Sequence, residues 1–359
     1  MPNELTTIFG KRLQQARKMR GWSLAELRGK IGDLVSIAAL SKYEKGQAMA
    51  SSKILVALSE GLDVSVDYLF RDFEVSLDRF RFRKLSTLSK KDLESVQEKA
   101  RDFFERYFEI EEIVGATHTY KPVFQADQAV DIEQMAQLVR KKWGVGNDPI
   151  PNVHALLEDN GIKVWFSKDC DEKFNGFSAT TNRGPVAVIS QNMTPARQRM
   201  TALHEIAHIL LEPLNLNPAI EEKEIVPRFT GALLLPAEPL IEMLGNKRKS
   251  IPTGELLEIK KRYGVAMSAV MMRARDAKII TDQTCTNFFR FGPAKYWRTK
   301  ETRKEPGDDQ LGAIFPETNF RFKQLVFSAF GEELITISQA ADYLKCSVED
   351  AYKQLDDPF

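Results

Sequence analysis

Two of the chain's four histidines, His204 and His208, stand four residues apart in "RQRMTALHEIAHILLEP", with Glu205 directly after the first. A spacing of four returns a side chain to the same face of an α-helix, one turn on. Thr194 suits an N-cap and Pro195 a first helical position, and Glu212-Pro213 breaks the pattern, so a helix is expected over about residues 195 to 212. Within it Met200, Leu203, Ala207 and Leu210 recur as an apolar stripe. Such a helix must be covered on the stripe side while its neighbouring face carries two imidazoles.

Neutral imidazoles that share a face can share one divalent ion. Zn2+ takes three protein ligands and keeps one position open for water, whose pKa falls towards roughly 7. Glu205, beside the first imidazole but turned towards the substrate side, can take the proton of that water and pass it to a leaving amine. His204 and His208 are therefore the candidate zinc ligands and Glu205 the candidate catalytic base. Only Cys170, Cys285 and Cys346 are present, too few and too scattered for a zinc finger or a disulfide framework. Cys170, in "KDCDEKFNG", reads as a surface thiol, with a visit to the open zinc position as the alternative. His118 and His154 read as capping or packing residues.

The surroundings carry a resemblance. "NVHALLEDNGIKVWF" reads as helix, glycine turn and strand, "GPVAVIS" from Gly184 to Ser190 as a second strand, and the histidine helix is followed by "RFTGALLLPAE". Over about Asp131 to Ile280 this order resembles the ImmA/IrrE family of zinc metallopeptidases. The resemblance implies a small zincin-like domain that cleaves a DNA-binding repressor or antitoxin and so releases stress or defence genes. It also implies that Val186, Ala187, Val188 and Ile189 form a strand whose edge holds an extended substrate. The family's third metal ligand is a glutamate six residues before the phenylalanine that here is Phe229. Lys223 holds that position, flanked by Glu222 and Glu224, and Glu222 is the preferred ligand, reached by a bulge around Pro227, with Glu224 next.

The first seventy residues have a different character. Ile8, Leu13 and Ala16 sit among basic and amide residues and point to a short amphipathic helix ended by Gly21. Ser23 and Glu26 form a capping-box pair, and a tight turn separates that helix from one starting at Ser36. Two short helices joined this way can place the second in the major groove. "ALSKYEKGQ", with "WSLAEL" before it and "VSVDYLF" after, resembles the XRE (lambda repressor/Cro-like) helix-turn-helix family over about residues 5 to 72. By that resemblance Ser36, Ile37, Ala38, Ser41 and Lys42 face the bases, and Arg17, Arg20 and Lys45 suit phosphates. The alternative is a small helical domain that binds protein.

"SKKDLESVQEKARDFFERYFEIEEIV" opens on Ser89 and Asp92 and then carries Leu93, Val96, Ala100, Phe103, Tyr107, Ile110 and Val114 at spacings of three and four. Two readings stay open for this seam: a homodimer coiled coil, or a helix lying on its own chain's next domain, which Phe104 and Phe108 would widen. Upstream, "DRFRFRK" interleaves Phe80 and Phe82 with basic residues, a combination that would suit single-stranded DNA as an activator, or a plain solvated edge. "FGPAKYWRTKETRKEP" repeats the mixture. "SQAADYLKCSVEDAYKQL" looks like another small helix-turn-helix element whose acidic second helix fits docking or sensing better than a DNA groove.

Lys plus Arg total 51 against 50 Asp plus Glu, so any nucleic-acid surface must be local. No stretch approaches the roughly 20 apolar residues of a membrane span, and with no signal peptide recognisable the chain reads as cytoplasmic, without a membrane partner. The expected fold is mainly α with a small β-sheet (α+β). It divides into a five-helix lambda-repressor-like helix-turn-helix domain at 1–74, a linker with a long amphipathic helix at 75–120, a zincin-like metallopeptidase domain at 121–280 and a helical C-terminal sensor or docking domain at 281–359. The expected function is a regulator that binds double-stranded operator DNA and uses Zn2+ to cleave a partner repressor or antitoxin. The alternative is a non-catalytic transcription factor with a ligand- or single-stranded-DNA-sensing zincin-like domain.

Overall fold

The computed structural model describes residues 4–72, 77–81, 89–125, 131–168, 174–217, 220–292, 294–297, 305–317 and 320–356; for 77–81, 221–222, 296–297 and 356 the description covers the backbone alone. The first unit is four helices, α1 (Glu4–Met19), α2 (Leu24–Lys30), α3 (Ile37–Glu44) and α4 (Ser52–Leu62), closed by a 3-10 turn at Asp67–Phe70 where a fifth helix is expected. Ser23 and Glu26 cap each other's backbone at the start of α2, as their spacing requires. Phe9, Leu13, Leu27, Leu40, Leu58, Leu62 and Leu69 make its core.

The second unit is built on a four-stranded sheet of order β1-β3-β4-β2, with β1 (Leu77–Arg81), β2 (Lys163–Ser167), β3 (Gly176–Thr181) and β4 (Gly184–Ser190). β3 runs antiparallel to both β1 and β4, and β2 parallel to β4. Both faces of β4 are covered, which explains its unbroken apolar run. Val186 and Val188 join Phe177, Ala179 and Trp165 on one face; Ala187 and Ile189 join Val164 and Phe166 on the other.

The long helix α5 (Lys90–Val114) lies across the first face. Val96, Ala100, Phe103, Tyr107 and Ile110 are buried there against the sheet and against α16 (Phe320–Gly331), with Phe103 stacked on Trp165 at 5.2 Å and 13°. The seam thus closes on the chain's own sheet and C-terminal helix, which take the place a second copy would have in a coiled coil. The opposite face receives the histidine helix α8 (Pro195–Leu211). Around it pack α6 (Ile132–Lys142), α7 (Val153–Asp159), α9 (Val226–Leu234), α10 (Ala237–Leu244), α11 (Thr253–Tyr263), α12 (Met267–Asp276) and α13 (Asp282–Arg290).

After the short helices α14 (Ala294–Trp297) and α15 (Asp308–Ile314), the chain crosses back to α16 and ends in α17 (Ile337–Leu344) and α18 (Val348–Asp356). Lys345, in the left-handed conformation, turns the chain between these last two, giving the small helix-turn-helix element expected there. No described helix is long and apolar enough to cross a membrane.

The helix-turn-helix unit is bolted to α5. Arg12 is fully buried: its Nε donates to the Arg71 carbonyl at 2.7 Å, its Nη1 to Gln15 Oε1 at 2.8 Å and to Glu105 Oε2 at 2.5 Å, and its Nη2 to the Asp72 carbonyl. Ser95 Oγ donates to the Met19 carbonyl at 2.6 Å, adding a second tie. On the far side Lys345 reaches the Tyr68 ring and pairs with Asp102 at 3.5 Å, so the end of α17 braces the same joint.

Candidate active site and nucleic-acid interface

α8 forms where capping and periodicity place it. Pro195 occupies the first turn, and Leu203, Ile206, Ala207 and Leu210 are fully buried in the core beneath it. The two histidines then emerge side by side, their ring centroids 5.2 Å apart and their planes at 84°. His204, Glu205 and His208 are 2%, 1% and 8% exposed, so these three side chains lie inside the fold and out of bulk water. Charges and dipoles act more strongly there than on a surface. The donor set of two imidazoles on one helix face fits zinc as far as it goes.

The third ligand is the open position. Just before α9 the backbone forms a π-helical turn over Glu221–Ile225, an arrangement that adds one residue to a helical turn and shifts side-chain register. Lys223 and Glu224 on that turn are exposed, and the side chain of Glu222 lies outside the described residues. Among the described residues no group of three or more His, Cys, Asp or Glu is placed to hold a metal ion. Gly231, in "RFTGALLLP", keeps α9 close to α12: a Cβ there would meet Arg273 Cδ at 2.8 Å. Arg273 uses that space to donate from Nε to the Leu235 carbonyl at 2.9 Å and to grip Glu133 at 2.7 and 3.0 Å.

The strand expectation needs correction. Val186, Ala187, Val188 and Ile189 form β4, but β4 is an interior strand, paired with β3 on one side and β2 on the other. Its backbone groups are committed to the sheet, so it offers no edge to a substrate. β3 was not anticipated; its only local signal is "GFSATT" running into the tight "TNRG" connection to Gly184. β3's outer side is taken by β1 from the linker.

Two buried polar clusters also escaped the sequence reading. Arg199, on α8 and fully buried, donates from Nη1 to Glu317 Oε1 at 2.6 Å and from Nη2 to the Ile150 carbonyl at 2.6 Å, with its guanidinium 4.4 Å from the Phe315 ring. Burial lowers its pKa, and the Glu317 carboxylate works against that shift. Glu317 in turn accepts the backbone amides of Val153 at 3.0 Å and His154 at 2.8 Å, so it clamps the start of α7 to α8. In the second cluster, buried Glu158 meets His154 Nε2 at 3.2 Å and the Tyr107 hydroxyl, tying α7 to α5. His154 thus packs between α7 and its neighbours, and among the described residues His118 approaches the Glu158 carbonyl, at 3.4 Å.

On the helix-turn-helix unit, Ser36, Ile37, Ala38, Lys42 and Lys45 are exposed and Ser41 is half-buried, so the start of α3 is open to a groove. Ser36 Oγ caps α3 by accepting the Ala39 amide at 3.1 Å. Arg17 is turned inward: it forms a two-pronged pair with Glu44 at 2.6 and 2.8 Å and donates to the Trp22 carbonyl, which leaves it poorly placed for a phosphate. Arg20 is more exposed but is engaged with Asp63 at 2.7 Å and the Leu62 carbonyl. The basic-aromatic stretch "DRFRFRK" and Cys170 lie outside the described residues, apart from the backbone of Leu77–Arg81; Arg298, Lys300, Arg303 and Lys304 of the second stretch do too.

Two segments match known families. Residues 13–69 match the family model described as helix-turn-helix, and residues 157–275 match that of the IrrE N-terminal-like domain, which belongs to a peptidase family. No curated protein matches the chain. The second match holds α8, the π turn and α9 together, and it stops short of the Phe315 and Glu317 contacts that brace α8. The chain joins, in that order, a helix-turn-helix segment of the XRE type to an IrrE N-terminal-like domain.

Proposed function

We propose that this chain is a cytoplasmic DNA-binding regulator that is also a zinc-dependent endopeptidase, cleaving a partner repressor or antitoxin. The observation that carries the reading is the placement of His204, Glu205 and His208 on one buried helix inside the peptidase-family segment. In it His204 and His208 hold Zn2+, with Glu222 as third ligand across the π turn and Glu224 as the alternative. When bound, the metal supplies Lewis acidity and an acidified water. Glu205 takes that water's proton and returns it to the leaving amine. The exposed start of α3 reads double-stranded operator DNA, which brings the peptidase to the promoter whose repressor it removes.

Zinc content of the purified chain tests the metal half. One zinc per chain is expected, with occupancy lost in His204→Ala and in Glu222→Ala and kept in Glu224→Ala. Full occupancy in both glutamate variants would remove "EEKE" as the source of the ligand. A chain that takes up no zinc would support the non-catalytic sensor reading instead.

A further inference from the structure

Arg197, Met200, His204 and His208 follow one another on α8 at spacings of three, four and four, so they share a face. A cavity of about 1020 Å³ opens along that face from Thr194 to Met200, and its facing wall is the π turn and α9, from Lys223 through Pro227 and Gly231 to Leu234. At a rise of 1.5 Å per residue, Met200 lies only about 6 Å along the helix from His204. The cavity therefore adjoins the candidate catalytic face and the turn that carries the third-ligand candidates.

Its floor is apolar, with Met200, Leu234, Val265, Ala269 and Phe289, and the exposed Met272 also lines it. Its rim is not neutral. Glu305 and Asp308 in the wall are already matched: both pair with Lys260, and Glu305 accepts the Met267 amide at 2.6 Å and the Ser268 amide at 3.0 Å. Asp276 is shared between Arg275 at 2.7 Å and Arg228 at 3.8 Å. Lys223, Arg228 and Arg290 stand exposed around the opening, with Arg197 beside them, against one exposed carboxylate among the described lining residues, that of Glu224. An apolar floor under a cationic rim selects an apolar anchor with acidic neighbours, the floor supplying affinity and the rim orientation and discrimination.

We propose that this cavity is the recognition pocket for the protein substrate, and that it takes a segment with a large apolar side chain flanked by Asp or Glu. This rests on the peptidase reading above and names its substrate class. A single-stranded nucleic acid would also answer to the cationic rim. The floor favours the peptide, because among the described residues it offers one aromatic ring, Phe289, where strand binding draws on successive stacked bases.

The test separates binding from cleavage by using the full-length Glu205→Gln chain. Two fluorescein-labelled nonapeptides serve as probes in anisotropy titrations: a central Leu with two Glu on each side and Ser elsewhere, and the same peptide with Lys for every Glu. The acidic peptide is expected to bind at least tenfold more tightly. Arg228→Glu combined with Arg290→Glu should invert that preference, and Ala269→Trp, which fills the floor, should abolish binding of both while zinc content and melting temperature stay unchanged. Equal affinity for the two peptides, indifference to the charge reversal, or displacement of the acidic peptide by a thymidine decamer at lower concentration than by unlabelled peptide would overturn the proposal. Peptide binding as expected without cleavage of any protein by the wild-type chain would count against the peptidase reading and leave the pocket standing.

Discussion

The shared helix face of His204 and His208 was legible because imidazoles four apart on a helix form a local pattern, and local patterns survive in a sequence. Arg12 and Arg199 were not. A buried arginine looks in sequence like any surface arginine, and its burial depends on carbonyls and carboxylates supplied by distant segments: Arg71, Asp72 and Glu105 for Arg12, Ile150 and Glu317 for Arg199. The Arg12 pair also titrates. Burial pushes the Glu105 carboxyl from 4.5 up to about 7; Arg12 and Arg101 pull it down and Asp102 pushes it up. The folded value lies above the unfolded one, so the stabilisation linked to this group is complete below about pH 4.5 and is lost as pH rises through about 7. The loss is on the order of 3 kcal/mol across that window. Arg12 keeps three neutral acceptors whichever state Glu105 adopts. Melting curves between pH 5 and 8 should therefore show the wild-type chain losing stability relative to Glu105→Gln as pH rises. A difference that stays constant, or that grows in favour of the wild type, would show that Glu105 is charged throughout.

At the scale of elements, α5 shows what a seam can and cannot say. Spacings of three and four predicted a buried stripe, and Val96, Ala100, Phe103, Tyr107 and Ile110 are that stripe. The partner was not legible, because a face wide enough to include Phe104 and Phe108 suits a sheet and a helix from the same chain as well as another copy. β4 misled for a related reason: an all-apolar strand signals burial on both faces but is silent about which strands flank it, and the flanking strands β2 and β3 remove its edges. A bulge was expected around Pro227; the irregular turn lies before it, as the π turn at Glu221–Ile225, which carries "EEKE". Phe103→Ala should cost about 3 to 5 kcal/mol by urea denaturation, as for other buried aromatic truncations. The loss should be the same at low and high protein concentration, because the packing is intrachain. A midpoint that rises with concentration would restore the coiled-coil reading.

Over the whole molecule, the helix-turn-helix unit, α5, the sheet and the C-terminal helices form one connected body, with the start of α3 exposed and α8 on the far face of the sheet from α5. Binding DNA and processing a protein need not compete for one surface. The two ends of this arrangement were legible as motifs, whereas the joint between them rests on contacts such as Arg12 with Glu105 and Tyr68 with Lys345 that no local pattern announces. Under the proposed DNA binding, affinity for an operator should weaken with rising salt, and Lys45→Ala should lower the slope of log affinity against log salt by about 1, whereas Lys42→Ala, at a base-facing position, should relax sequence preference. Arg17→Ala, by contrast, should lower melting temperature through loss of the Glu44 pair; an unchanged melting temperature with a lower salt slope would place Arg17 on the DNA after all.

Intact-mass spectrometry of a candidate partner repressor or antitoxin, incubated with the zinc-loaded wild-type chain or with zinc-loaded Glu205→Gln, tests the proposed catalytic site most directly. Two fragments whose masses sum to the intact protein plus one water are expected from the wild type. The same fragments should be absent with Glu205→Gln and with chelator-treated wild type. Identical fragments from Glu205→Gln would show that Glu205 does not move the proton and that hydrolysis, if it belongs to this chain, is carried out elsewhere.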